Sequence, residues 1–374
     1  MQKVTTGLVA LVALGLGVRS ASAVEIGSEA EKITITGRIQ TGWYTSSIKG
    51  QPSNEFLVRR ARMALKLKIN DWLSGVIEPD FAAGTAIDLK DCYVKGTLSD
   101  NVDIILGQTK RRFDMFELTS STQILVIERD GRIGRQATPL LPTLSSLTEG
   151  LNYSDRDLGV FVLAHDEDKR YSFEAAITNG VRTNTKPVLG AKAFQGRVSV
   201  QPMKETDLAL NLGVSVKPFR TIHPVGAVQD SATAYGTAVE GSVEYGNFKK
   251  GPHLQAGVVL GTNDTTYSPA TNDSKQFFSF QAIATYKKEL ANKKWFESVE
   301  PLIRIGVADP NTDDDTSLGS IGGLILTPGV NLFVVNRSRL SANVDIYFPE
   351  KLNVPAAPDR DTEISFKAAS WIYF

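Results

Sequence analysis

From residue 60 to residue 69 the chain alternates strictly. Positions 60, 62, 64, 66 and 68 are Arg, Arg, Ala, Lys and Lys, while 61, 63, 65, 67 and 69 are Ala, Met, Leu, Leu and Ile. A period of two is the signature of an extended strand with one apolar and one polar face. Wound as a helix, the same cations would scatter round the circumference and leave no apolar stripe. The alternation recurs in segments of about ten residues, the length of a strand that crosses a bilayer with one face in lipid and one in water. Ile33, Ile35, Ile39 and Trp43 alternate with Thr34, Thr36, Arg38 and Gln40. Leu208, Leu210, Leu212, Val214 and Val216 alternate with Ala209, Asn211, Gly213, Ser215 and Lys217. Phe278, Phe280, Ala282, Ala284 and Tyr286 share one face, and the last segment puts Ile364, Phe366, Ala368, Ile372 and Phe374 together.

The connections between these segments come in two alternating kinds. Long polar ones fall near 45–55, 83–86 (the shortest), 108–156, 180–189, 218–234, 262–275, 308–317 and 348–361. Shorter ones fall near 70–73, 96–101, 166–169, 203–207, 247–252, 288–297 and 327–329, the last reading Thr-Pro-Gly. Together they predict an all-β fold: a transmembrane antiparallel β-barrel of about 16 strands, with both termini and the short turns on the periplasmic side. A secreted β-sandwich or solenoid would also alternate, but long and short ends in turn, and a terminal Phe374, suit the barrel better.

Composition narrows the picture. Forty-one basic and 41 acidic side chains leave no net charge, so nothing favours non-specific binding of nucleic acid. The N-terminus has one lysine, an apolar run from Gly7 to Val18 and then Ala21-Ser22-Ala23, the three regions of a secretory signal peptide. The run is too short for a spanning helix, which needs about 18 to 20 apolar residues. Residues 1–23 are therefore expected to be a cleaved signal, and 24–374 the barrel. Cys92 is the only cysteine, so an exported chain of this size must be stable without internal disulfides. Barrel closure supplies that stability by pairing every backbone donor and leaving no free edge. His165, His223 and His253 share no ligand spacing, so neither a metal nor another cofactor is expected. No hydrolase, nucleotide-phosphate or dinucleotide motif appears, and no nucleophile lies beside a base.

FLVRRARMALKLKI at 56–69, the following DWLSGVIEPDFA, IDLKDCYVKG, LGQTKRRFDMFELTSSTQILVIERD, TPGVNLF and the terminal WIYF together resemble the phosphate-selective porin family of Gram-negative outer membranes. The likeness spans most of the first third and the end; from about 180 to 320 only the general barrel pattern matches. It implies a homotrimeric, passive channel for phosphate or related anions, in contact with outer-membrane lipid and lipopolysaccharide. It also implies a long third loop folded into the lumen, for which the connection from Gln108 to Arg156 is the candidate. Arg59 and Arg60, with Ser120 and Ser121, would then lie near the central anion site, and Asp91 would stand close to the cations and keep binding from becoming too tight.

A phosphate crossing an apolar wall loses hydration that the pore must replace with cations and hydrogen-bond donors. Alternation by itself points Arg38, Arg62, Lys66, Lys68, Arg197 and Arg304 to the lumen. The loop contributes Lys110, Arg111, Arg112, Arg129, Arg132 and Arg135, mixed with Asp114, Glu117, Glu128 and Asp130. A solvated, self-paired loop would carry charges of both signs in the same way. Two residues break the strand rule. Arg59 counts to the apolar side, so a bulge or a subunit-shielded wall must accommodate it. Asp91 shares parity with Ile87 and Leu89, and a plain pairing with Lys90 or Lys95 competes with a role at the anion site. Glu78, Asp80, Asp88, Glu174, Glu240 and Glu244 also count to the water side, which leaves a general diffusion porin as the alternative; an outer-membrane enzyme or an adhesin fits less well.

Overall fold

Sixteen strands close into one antiparallel barrel in the computed structural model, each strand pairing with its sequence neighbours and the first with the last. They are β1 (Lys32–Ser46), β2 (Asn54–Lys68), β3 (Leu73–Asp80), β4 (Asp88–Ser99), β5 (Val102–Lys110), β6 (Arg156–His165), β7 (Tyr171–Thr178) and β8 (Ala193–Val200). The second half comprises β9 (Leu208–Val225), β10 (Val228–Gly246), β11 (Gly251–Ser268), β12 (Asp273–Glu289), β13 (Ser298–Asp309), β14 (Gly323–Val335), β15 (Ser338–Pro349) and β16 (Glu363–Tyr373). The structure describes residues 30–47, 54–82, 86–129, 131, 143–187, 189–203, 207–225, 228–268, 273–312, 322–335, 337–350 and 361–374. The expected signal, Asp130, Arg132 and Arg135 lie outside the described residues.

The barrel is turned inside out relative to a water-soluble fold. Ile39, Val58, Ile77, Val94, Leu106, Val160, Leu212 and Ile305 lie exposed on the outer face, whereas Gln40, Arg60, Arg197, Ser215, Gln255, Arg304, Asn331 and Lys367 are buried inside. Lipid solvates the first set, and the enclosed lumen requires the second. Gly37 and Phe374 exchange backbone hydrogen bonds of 2.7 and 3.1 Å, so β1 and the end of β16 close the barrel at one rim. β3 to β8 have 8 to 12 residues and β9 to β12 have 17 to 19, which makes one side of the wall taller at the opposite rim.

Three expected connections fall elsewhere. The turn expected at 327–329 lies within β14; the real break comes between Val335 and Ser338. Pro328 has no N–H to give, and the β14–β15 ladder passes from Leu326–Ile346 to Gly329–Asn343 without pairing Thr327 or Pro328. The long loops expected at 218–234 and 262–275 are instead the paired ends of β9–β10 and β11–β12. Above the membrane no lipid imposes an apolar outer face, so alternation fades while the backbone ladder continues.

The connection from β5 to β6, residues 111–155, carries two short helices, α1 (Met115–Leu118) and α2 (Leu144–Gly150). Its described residues, 111–129, 131 and 143–155, pack against inward-facing residues of the wall. Its bent stretch 124–128 has no strand neighbour among the described residues, so its backbone groups need side-chain partners. Arg339 donates to the Ile124 carbonyl at 2.6 Å, Asn331 to that of Leu125 at 3.0 Å and Arg304 to that of Glu128 at 3.0 Å, while Ile127 N–H donates to Asn343 Oδ1 at 2.9 Å. On the tall side, Glu240 of β10 accepts the Asp114 and Met115 N–H groups at 2.8 and 2.9 Å. Phe113, Met115, Phe116, Leu125, Val126, Leu144, Leu151 and Tyr153 of the loop bury themselves against Ala238, Val259, Phe277, Ile283 and Leu302 of the wall.

Candidate functional site

Both exceptions to alternation sit at β-bulges. In the β1–β2 ladder Gln40 pairs with Arg60 and Thr41 with Val58, which leaves Arg59 as the additional residue. On one side of it Phe56 and Val58 face lipid and Leu57 is buried; on the other Arg60 and Ala64 are buried. Two consecutive arginines are thereby turned toward the same interior. In the β3–β4 ladder Glu78 pairs with Asp91 and Pro79 with Leu89, so Lys90 is the additional residue and Asp91 faces inward. Asp91 meets neither Lys90 nor Lys95: it accepts from Arg156 Nε at 2.8 Å, while Lys90 pairs with Asp88 and Lys95 with Asp103.

The predicted cations come together on the wall formed by β1 to β6, and nearly every one meets a carboxylate. Arg38 donates to Glu78 at 2.5 Å, Arg62 to Asp80 at 2.6 Å, and Arg62 also lies 3.6 Å from Glu78. Glu128, carried in by the loop, accepts from Arg59 Nε at 2.7 Å and Tyr44 Oη at 2.8 Å, and lies 3.3 Å from Arg60 Nη2. Arg60 donates also to Gln40, and its guanidinium lies 5.9 Å from the Trp371 ring centroid. Burial alone would raise the Glu128 carboxyl, but Arg59, Arg60 and Lys367 outweigh it and bring it down to about 2. The neighbouring cations thus favour the charged form of Glu128.

Lys110 lies 3.6 Å from Glu117 and donates to the Glu117 and Thr119 carbonyls; Arg129 pairs with the same carboxylate. Arg112 lies 3.7 Å from Glu174 of β7 and over the Phe161 ring. Ser120 bonds Thr122 at 3.0 Å, whereas the buried Ser121 Oγ has no partner among the described residues and the Ser121 carbonyl accepts from Tyr373 at 3.4 Å. Arg111, by contrast, has a fully enclosed side chain, bound to Asp157 of β6 at 2.9 Å and to the Asn152 and Val181 carbonyls, which ties the loop to the wall. Lys66 and Lys68 lie apart from the rest near the terminal rim, Lys66 exposed and Lys68 paired with Glu31 and Asp71. Arg197 and Arg304, inward as alternation predicts, bind Glu240 and Asp345 at 2.9 Å each.

Sequence reasoning missed Tyr44, Gln40 and Arg156, and read Glu128 only as one of the loop's balancing acids. A signal for Glu128 exists: Ile124, Leu125, Val126 and Ile127, all buried, deliver a lone carboxylate at the end of an apolar run. Its partners are not readable, because they lie about 70 residues earlier in the chain.

The sequence profile described as phosphate-selective porin O and P matches residues 33–244, more than half of the chain. The chain belongs to this family. Solved structures with the same fold include the outer-membrane channel DcaP of Acinetobacter baumannii, 13% identical over 94% of this porin and 100% of that chain, with a TM-score of 0.63. OmpF of Salmonella typhi, solved with daunomycin, is 13% identical over 94% of this chain and 100% of its own, with a TM-score of 0.60. The trimer form of OmpT of Vibrio cholerae is 14% identical over 91% and 99%, with a TM-score of 0.56. No curated protein matches the chain. Family and fold make this porin a bacterial outer-membrane diffusion channel rather than an enzyme.

Proposed function

We propose that the porin passes phosphate or a related oxyanion by passive diffusion along the part of the lumen that the β5–β6 connection leaves open, the connection acting as its constriction. The observation that carries this reading is the gathering of Arg38, Arg60, Arg62, Lys110 and Arg156 of one wall, with Arg129 of the loop beside them, within one another's fields. Arg38 Nε, Arg60 Nε and Ser121 Oγ have no hydrogen-bond partner among the described residues, and an anion is the complement of such a set of cations and donors. Arg38, Arg62, Lys110 and Arg112 keep 10 to 14% of their side chains exposed, beside Glu78, Asp91 and Glu174 at 12, 22 and 26%. These are the charges that a solute would meet.

The near one-for-one pairing favours a second reading, a general diffusion porin of weak selectivity. Single-channel reversal potential in a KCl gradient separates the two: an anion-selective value supports the first, and a cation-selective value removes it. Arg60→Ala with Arg62→Ala is expected to relieve phosphate block of the chloride current; unchanged block would place the site elsewhere. We also propose export with removal of residues 1–23, read out as a mature N-terminus at Val24, and assembly as a homotrimer within outer-membrane lipid and lipopolysaccharide. The trimer form of OmpT supports that assembly. So does a shallow groove on the outer face of β1, β2, β15 and β16, where Thr41 and Ser370 hydroxyls bond each other at 2.7 Å.

A further inference from the structure

The carboxylate of Glu128 sits where an anion of the proposed substrate class would sit. Tyr44 Oη and Arg59 Nε converge on its Oε1 and Arg60 Nη2 on its Oε2, and two guanidiniums with a phenol are a donor set that recognises oxyanions in general. The cradle exists because the β2 bulge turns Arg59 and Arg60 to one side; without it, consecutive residues would point to opposite faces. Glu128 does not arrive by diffusion. The buried run from Ile124 to Ile127 carries it in, Asn331, Arg339 and Asn343 grip that run, and Arg304 holds the carbonyl of Glu128 itself. A ligand tethered in this way competes at a high effective concentration with any free one.

We propose that Glu128 is a specificity-determining residue: a built-in carboxylate that occupies the Arg59, Arg60 and Tyr44 cradle and competes there with free phosphate. The proposal rests on the anion-channel reading above. It makes chemical sense of a cradle and its plug in one lumen, since a channel must hold its permeant ion weakly enough to let it leave. With the plug charged, phosphate meets the cradle only in competition; with it neutral, the two arginines hold phosphate and slow its passage.

The test uses the full-length porin in planar bilayers, with inorganic phosphate added against a chloride current. Glu128→Gln keeps the shape and removes the charge, and it is expected to lower the half-blocking phosphate concentration roughly tenfold. Glu128→Asp keeps the charge on a shorter arm that seats less closely; it is expected to lower that concentration about threefold, and it serves as the test if the glutamine variant does not assemble. Glu244→Gln neutralises a carboxylate of β10, across the barrel from β2 and bonded to His253 and Gln255, and should change block by less than about twofold. In an Arg59→Ala, Arg60→Ala background, Glu128→Gln should bring no gain. Unchanged block in the Glu128 variants overturns the proposal, as does an equal change in Glu244→Gln, which would be a general field effect, or a gain that survives loss of the arginines. Failure of the anion reading shows itself separately, as a cation-selective reversal potential of the native channel.

Discussion

Arg59 is the one residue by which the β1–β2 ladder departs from regular alternation. Removing it would close the bulge and join the pairs Gln40–Arg60 and Thr41–Val58 directly, with Phe56 and Val58 still toward lipid and Leu57 inward. Deletion of Arg59 is therefore expected to keep the compact, heat-modifiable form on electrophoresis, as is Arg59→Gly; loss of that form in the deletion would show that the bulge itself holds the wall together. Asp114 makes a second prediction at this scale. It holds a left-handed φ of 67°, caps α1 through the Phe116 and Glu117 N–H groups and accepts from Thr148 at 2.6 Å. Burial first and the Glu240 charge second raise its carboxyl to about 7, against the Thr148 bond. Of the other charges around it, Glu117 repels it, Arg129 attracts it and Arg197 pairs with Glu240. A folded-state value above the ordinary 3.8 stabilises the loop fully below the unfolded value, and that contribution is lost as pH rises toward about 7. Protease nicking of the β5–β6 connection should thus be faster at about pH 8 than at about pH 5, and Asp114→Asn should flatten the difference.

At the level of elements, the tall wall is built to seat the loop. Gly213, Gly236 and Gly257 on β9, β10 and β11 face the lumen, and a methyl group on each would meet Phe113 at 3.4 Å, Tyr153 at 2.5 Å and Phe116 at 3.2 Å. The glycines are sockets for the loop's aromatic rings. Gly236→Val should push Tyr153 off its bond to the Thr262 carbonyl, loosen the connection and raise single-channel conductance roughly twofold or more with the barrel intact. The lipid face answers to a different rule. Leu212 is 69% exposed on β9, and Leu212→Arg should destabilise the folded barrel by about 1 to 3 kcal/mol in urea unfolding from vesicles. Strands were legible wherever lipid dictates one face, as in β2, β9 and β16. The ends of β9 to β12 were not, because outside the membrane the backbone ladder persists without a hydrophobic pattern to announce it. Thr327-Pro328-Gly329 misled for a related reason: a residue lacking an N–H can sit in a strand whose ladder skips it.

For the molecule as a whole, closure replaces both the disulfide and the apolar core, and the lumen holds its own polar interior. That interior is nearly electroneutral, so selectivity belongs to the charges that remain partly exposed along the open side and not to the sum of the chain. Chloride and phosphate conductance measured side by side should accordingly depend on Arg62 and Lys110 more than on Lys68, which pairs with Glu31 and Asp71 near the rim. The amino-acid order alone determined an outer-membrane barrel of about sixteen strands and the lumenal side of Arg38, Arg60, Arg62, Arg197 and Arg304, which follow from local periodicity against a two-phase solvent. Arg59 and Asp91 showed in it only as breaks in that periodicity, and their place near the cations came from the family resemblance. Only the tertiary structure decided that Glu128 answers Arg59 and Arg60, that Arg156 answers Asp91, and that Arg111 ties the loop to the wall. An ion pair depends on distance in space, and the loop that packs against the wall brings together charges that the chain itself keeps dozens of residues apart.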